Sequence, residues 1–496
     1  MNNLTRRTLL IGAGGLAGWS ATAAFRSHLP VYDGTRSIAP ESTAEIVLND
    51  ASELSATPIH KHIIIKEDPG AALVDAVRAE MKAAEADGRP FNIGAARHSM
   101  GGHAIPRDGH AITFDNGSIE PDSASGIYKV HAGARWSQVI AALDPLGFSP
   151  KVMQSNNDFG VASTFCVNAH GWPVPFGPMG ATVRSCRMIL PSGELVTCSP
   201  TQNTALFGHA MGGYGLTGAI VDLEVEMARN SRLVPSFEVM PATAFAARFD
   251  AAVNDPAVTM AYGRLNVDRS SFFSEALLIT YRETEDQSDL PAASGSGAMS
   301  HLASRVYRGQ LGNERMKAFR WWSETVAFTA IGDGPVTRNS LINEPVVTLD
   351  DRNPDRTDIL HEYFIGFDRF NDFLTACQEV IPASYQEFLN VTLRFVNTDA
   401  QSTLSYATVP RIAAVMSFSQ ELTARAEADM QRMTRALIDR VTGMGGAYYL
   451  PYRPHPTVDQ LVATYPNAPA FAAMKRELDP KLTLRNNFWD TYLDAL

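Results

Sequence analysis

Three glycine-rich stretches follow one another between residues 94 and 218: Gly94-Ala-Ala-Arg-His-Ser-Met-Gly-Gly102, Gln154-Ser-Asn-Asn-Asp-Phe-Gly-Val-Ala-Ser-Thr-Phe-Cys-Val-Asn-Ala-His-Gly171 and Gly212-Gly-Tyr-Gly-Leu-Thr-Gly218. Glycine lets a backbone come close to a ligand and leaves its N–H groups unhindered, so loops of this kind suit a pyrophosphate. One such loop is more often just a turn. Three in order, with Ser, Asn and Thr donors in the middle one, point to a single dinucleotide. None follows the strand–GxGxxG–helix order of a Rossmann unit, because residues 212–218 run straight into a predicted strand at 219–226.

The hydrophobic pattern around the loops predicts short strands with inserted helices. Strands are expected at Ile63–Ile65, Phe91–Ile93, Ala111–Phe114, Tyr128–Ala132, Arg184–Leu190, Leu195–Cys198 and Ala219–Glu226, and helices at Gly70–Asp87, Trp136–Leu143 and Ala205–Ala210. The register breaks near residues 228–236. Beyond it, helices (Ala242–Ala252, Glu314–Ala327, Gln420–Val441) alternate with strands (Glu275–Tyr281, Leu389–Val396), and Ala447–Leu496 reads as strand, loop, helix and an aromatic-rich end. The fold class is α+β.

A chain of 496 residues is long enough for two or three domains. Its 42 Lys and Arg against 53 Asp and Glu give a net charge of −11, a poor match to nucleic acid, which needs a dense phosphate-neutralising surface. No run beyond the N-terminus is apolar for long enough to predict an integral membrane domain. The N-terminus itself places Arg6 and Arg7 before the weakly apolar Leu9–Ala24, then Ala21-Thr-Ala23 as a cleavage site. That order resembles a twin-arginine export signal over residues 1–23, with an uncleaved anchor as the alternative. It implies a protein exported folded to the periplasm or beyond, often with its cofactor inserted. In an oxidising compartment cysteine pairing matters. A two-residue turn at Ser192-Gly193 would set Cys186 opposite Ser199, so four unpaired thiols are expected.

The segments IGAARHSMGGHA, MQSNNDFGVASTFCVNAHG, VRSCRMILPSGELVTCSP and LFGHAMGGYGLTGAIVDLEVEM, with the tail AMKRELDPKLTLRNNFWDTYL, resemble the vanillyl-alcohol oxidase and p-cresol methylhydroxylase superfamily. Within it the chain is most similar to bacterial alditol and aldonolactone oxidases and decaprenylphosphoryl-ribose oxidase. The resemblance implies a two-part FAD-binding domain at 50–228, a substrate domain at 229–440 with an antiparallel sheet over the flavin, and a segment at 441–496 returning to the flavin site. It further implies that backbone N–H groups of Arg97, His98, Ser99, Met100, Gly101 and Gly102 wrap the FAD pyrophosphate. His98 would be the covalent link to the flavin, noncovalent FAD being the alternative. Asn157, Asp158, Gly160, Val161, Thr164, Asn168 and Gly171 would follow the pyrophosphate and ribityl chain, and Gly218 and Ile220 the adenine end, with Asn486 near the cofactor. Ala162-Ser163 replaces the family's usual Gly-Gly. Cys166 reads as structural, His103 as a loop residue, and His170 as either an active-site group or a satisfied histidine.

On the substrate side, Asn390, Thr392 and Arg394 share one face of a predicted strand at period two. Glu362, in Glu362-Tyr-Phe364, and the tail run Tyr452-Arg-Pro-His455 add titratable groups. Arg394, Glu362 and His455 are the candidate catalytic residues, His455 as the base, because carbinol oxidation needs the hydroxyl proton removed. The expected reaction is oxidation of a C–OH group of a polyol, sugar or sugar-derived lactone by hydride transfer to FAD. Electrons would pass to oxygen, a quinone or a cytochrome. A lipid-linked sugar or aromatic alcohol oxidised with noncovalent FAD is the alternative.

Overall fold

The computed structural model describes residues 46–66, 72–295, 304–327, 334–345 and 353–496. The export signal expected at 1–23 lies outside them.

Four sheets carry the fold among the described residues. A two-stranded ribbon, Val47–Leu48 with Thr57–Pro58, precedes a three-stranded parallel sheet in the order Lys61–Ile65, His110–Phe114, Phe91–Gly94. The helix Ala72–Ala86 makes the crossover between its outer strands; Leu73, Val77, Met81 and Ala84 face the core, the spacing of one helix face. A central antiparallel sheet joins Leu195–Cys198, Val183–Ile189, Ala219–Arg229, Ile127–His131 and Ile119–Asp122, with Phe148–Pro150 on the far end of the long strand. The helix Trp136–Leu143 covers it with Trp136, Val139, Ile140 and Leu143, each such buried side chain contributing about 1.5–3 kcal/mol.

At Asn230-Ser231 the chain leaves the central sheet and enters an eight-stranded antiparallel cap sheet. Val258–Leu265, Glu387–Val396, Arg411–Glu421 and Arg356–Ile365 lie side by side in it, in that order. The helices Phe245–Val253, Phe370–Val380 and Ala424–Gly443 pack on one face and bury a large apolar core that the C-terminal helices join. A second core fills the N-terminal domain. The tail then runs back: Phe91 N–H donates to Thr483 O (2.6 Å), and Leu484 forms a parallel bridge with Phe91 at the edge of the parallel sheet. No helix among the described residues is long and apolar enough to cross a membrane.

Two local expectations change. The helix expected from Gln420 begins at Ala424, because residues to Glu421 still pair in the cap sheet. The hairpin after Val183–Ile189 closes through a three-residue loop, with Leu190 N–H on Glu194 O (2.8 Å) and Gly193 at φ +85°, so Cys186 faces Cys198 rather than Ser199. The two buried thiols hydrogen-bond, and all four cysteines are free.

Candidate active site

A cavity opens where the glycine loops of the N-terminal domain, the cap sheet and the tail meet. The first loop leaves the parallel strand Phe91–Gly94 at its C-terminal end. Arg97, His98 and Ser99 line the cavity. Arg97 sits at φ +52°, with Nη2 on Thr113 Oγ1 (2.6 Å); burial, then the charge of Arg135, bring its pKa down to about 10. The His98 ring stacks on Phe159 at 4.1 Å, with Nε2 3.9 Å from Asp158 Oδ2.

The far half of this loop faces protein, which narrows the expected run of ligand-facing N–H groups. Met100 N–H donates to Pro451 O (2.8 Å), and its sulfur accepts from Leu360 N–H. Gly102 N–H donates to the buried Asp50 Oδ2 (2.7 Å), and a Cβ there would lie 2.4 Å from Asn487 Nδ2. A Cβ on Gly101 would strike the His103 ring at 2.3 Å. His103, expected to be a mere loop residue, is buried on the cavity wall, where desolvation lowers its pKa to about 3. Nothing in its sequence context separates it from a solvated loop histidine.

The second loop ends in a short helix, Val161–Cys166, capped by Gly160. Gly160, Ala162, Ser163 and Thr164 line the cavity, as does Cys166, whose thiol burial pushes up to about 12. A Cβ on Gly160 would lie 2.4 Å from Ala95 Cβ, so the first two loops touch there. The Thr164 hydroxyl is spent within the protein: it donates to Val161 O (2.6 Å) and accepts from Trp136 Nε1 (3.0 Å). Four other expected cofactor residues also turn into the protein. Val161 is fully buried; Asn157 donates from Nδ2 to Asn343 Oδ1 (2.7 Å). Asn168 donates to Ser402 Oγ (2.7 Å) and accepts from Gly180 N–H, so its amide ties this loop to the segment after strand Glu387–Val396. Gly171 is required by packing, since a Cβ would sit 1.8 Å from Met153 O.

Gly218 and Ile220 line the other end of the cavity, together with Tyr214 and Gly215. Asn486 does not reach it. Its side chain caps the helix Asn487–Thr491 by accepting from Trp489 N–H and donates to Tyr214 O (2.9 Å), so it fixes the third loop from behind.

From the cap sheet come Glu362, on strand Arg356–Ile365, and Arg394, on strand Glu387–Val396. Both line the cavity, with His170 and Tyr452. His170 Nε2 is hydrogen-bonded to Glu362 Oε1, and the Tyr452 hydroxyl donates to Glu362 Oε2 at 3.3 Å. Glu362 and His170 are each about 3 % exposed, so this pair is held dry. Burial, then the Glu362 charge, push the Tyr452 phenol well above its ordinary pKa and keep it a donor. Arg394 Nη2 donates to Ser155 Oγ (3.0 Å); burial lowers its pKa and Glu362 opposes that. Asn390 and Thr392, on the same strand face, are engaged by Arg320 and Arg264 instead.

His455 is not part of this group. It lies 1 % exposed beneath the helix Ala424–Gly443, with Nε2 on Glu427 Oε1 (2.9 Å) and Nδ1 on Thr434 Oγ1 (3.1 Å). Burial lowers its pKa. Glu427 is also buried, but the His455 hydrogen bond and the Arg453 charge prevail and hold its carboxyl well below the usual range. The expected base is thus a structural partner of Glu427, and the carboxylate lining the cavity is that of Glu362.

Six cavity-lining side chains carry a buried polar atom with no partner among the described residues: Asn92 Nδ2, Arg97 Nε, His103 Nδ1, Gln154 Oε1, His170 Nδ1 and Arg394 Nε. Buried polar atoms are rarely left so, and six around one cavity fit a large ligand with many polar groups. Residues 71–199 match the family of the FAD binding domain. The chain carries an FAD-binding domain. The chain is similar to D-arabinono-1,4-lactone oxidase of Yarrowia lipolytica (34 % identity over 107 residues, 21 % of this chain and 20 % of that protein). It is similar to cytokinin dehydrogenase 8 of Oryza sativa (29 % over 126 residues, 25 % and 24 %). A third relative is the decaprenylphosphoryl-beta-D-ribose oxidase of Mycolicibacterium smegmatis (29 % over 157 residues, 30 % and 34 %). The chain covers about a third or less of the length of each of these relatives. These likenesses agree with the superfamily resemblance of the glycine loops, and the matched segment carries five of the six unpartnered atoms, Arg394 coming from the cap sheet.

Proposed function

We propose that the protein is an FAD-dependent oxidoreductase that oxidises a C–OH group of a polyol, sugar or sugar-derived lactone, exported by the twin-arginine route. The observation that carries this reading is the joining of the FAD-binding loops and the buried Glu362–His170–Tyr452–Arg394 group in one cavity. FAD, when bound, supplies the hydride acceptor. The protein's part is the proton. Glu362 takes the substrate hydroxyl proton at Oε2, directly or through the Tyr452 hydroxyl, while His170 Nε2–H holds Oε1 and fixes the carboxylate. Arg394 orients the substrate oxygen from the cap side, and burial excludes water from the exchange.

Two of the three named relatives act, by their names, on a sugar lactone and on a lipid-linked sugar, which supports a carbohydrate-derived alcohol; the third is named for a cytokinin. Anaerobic mixing of the yellow protein with polyols, aldonolactones and aromatic alcohols tests it. Bleaching by a carbohydrate-derived alcohol and not by the aromatic ones is the expected result; bleaching by none of the carbohydrate group overturns the substrate class. Admission of air then separates an oxidase, which recolours fast, from a dehydrogenase.

His98 is proposed as the covalent flavin link, from its place on the cavity wall against Phe159. Yellow colour that stays with acid-precipitated protein supports the link, and its release into the supernatant removes it.

A further inference from the structure

We propose that His60, Asp87 and His110 form a binding site for one divalent transition-metal ion of the zinc type, at the end of the parallel sheet away from the flavin loop. The three residues come from different elements: His60 precedes the first parallel strand, His110 opens the second, and Asp87 follows the helix that connects the outer strands. One ligand atom from each lies within 4.8 Å of the other two. His60 and Asp87 are exposed and form the mouth; His110 is 1 % exposed and forms the floor.

The decisive feature is the proton bookkeeping at His110. Its Nδ1 lies 2.5 Å from Glu80 Oε1, and Glu80, buried at 6 % exposure, also accepts from Lys61 Nζ at 2.7 Å. Lys61 neutralises Glu80, and the short contact assigns the His110 ring proton to Nδ1. Nε2 then presents a lone pair. It has no hydrogen-bond partner among the described residues, yet it faces Asp87 Oδ2 at 3.1 Å. A lone pair and a carboxylate oxygen repel each other at that distance unless a cation stands between them.

A tetrahedral zinc ion with bonds of about 2.0–2.1 Å holds its nitrogen and oxygen ligands about 3.3 Å apart, close to the observed spacing. Glu80–His110–metal is the carboxylate–histidine arrangement that fixes the tautomer of a ligating imidazole. With the ring nitrogen of the solvent-facing His60, three protein ligands leave a fourth position for water. The alternative occupant is a second proton, making His110 an imidazolium bridging Glu80 and Asp87. The site lies apart from the candidate active site and stands independently of the proposed function.

The test uses the full-length flavoprotein dialysed against chelator, then against zinc chloride, with metal counted by mass spectrometry and thermal unfolding followed in parallel. One zinc per chain and a raised unfolding temperature are expected. His60→Ala and Asp87→Asn, both surface changes, should each weaken zinc binding at least tenfold, and Glu80→Gln by about 10–100-fold. Flavin absorbance and alcohol-driven bleaching should stay unchanged in His60→Ala and Asp87→Asn. Zinc that fails to bind, or binds equally well in His60→Ala and Asp87→Asn, overturns the proposal in favour of the imidazolium bridge. Loss of flavin from these two variants would also overturn it, since the residues would then be holding the fold rather than a metal.

Discussion

In the proposed mechanism Glu362 is the residue on which the chemistry turns. Its two oxygens are held by two different side chains from two different parts of the chain, His170 in the second loop and Tyr452 in the tail. Glu362→Gln keeps the shape and removes the proton acceptor. Its expected effect is a fall of about 10²–10⁴ in the rate of anaerobic flavin reduction with bound FAD retained, read by stopped-flow absorbance. Tyr452→Phe should cost less, because one carboxylate oxygen remains oriented by His170. A variant Glu362→Gln that reduces flavin at the parent rate would remove Glu362 from the mechanism.

Two other residues set a pH limit. His103 and His361 are both buried, and desolvation lowers each to about 3 from an ordinary 6.5. Below pH 6.5 the unfolded chain takes up a proton at each position while the folded chain does not. The stability they contribute is therefore complete above about pH 6.5 and is lost as pH falls towards 3, by up to about 1.4 kcal/mol per pH unit per histidine. Thermal melting against pH should show this slope, and His361→Gln should flatten it.

At the scale of elements, backbone contacts explain more than periodicity does. Gly171 passes so close to Met153 O that Gly171→Ala cannot be absorbed by a side-chain movement. It should destabilise by at least about 1–3 kcal/mol and release FAD. Gly443 ends a helix with open space around it, and Gly443→Ala should be neutral or slightly stabilising in the same melting assay.

The helix Trp136–Leu143 and the strands Phe91–Gly94 and Leu195–Cys198 were legible in the sequence because one face of each is apolar at a regular period. The cap strand Arg356–Ile365 was not, since nearly all of it is buried on both faces and no alternation marks it. At the site, Arg394 and Glu362 carried a readable signal as charged groups in apolar runs. His103 did not, because loop geometry alone turns it inward, and Tyr452 was marked only as part of the tail run that ends in His455. His455 had the right side chain in the wrong place: Glu427, 28 positions earlier, claims it across the fold. Asn168 and Asn486 misled in the same way, polar residues whose bonds turn out to join loops to one another.

Over the whole molecule, the cavity has walls from three separated stretches of chain. The tail holds two of the glycine loops at once: Pro451 O fixes the first, and Asn486 fixes the third. Thr483 and Leu484 also complete the edge of the parallel sheet at Phe91. Removal of residues 479–496 should therefore abolish FAD retention and lower the unfolding temperature sharply, although no tail atom in that stretch is proposed to take part in the chemistry. A truncated protein that stays yellow would show that the first domain closes by itself.

The same seam imposes a timetable on biosynthesis. Phe91 leaves the ribosome well before its partner Thr483. A nascent chain holds an open cradle until that segment arrives. Flavin capture is therefore expected only once Thr483 has emerged, and a pulse-labelled chain stalled before that residue should be colourless where a chain extended past it turns yellow.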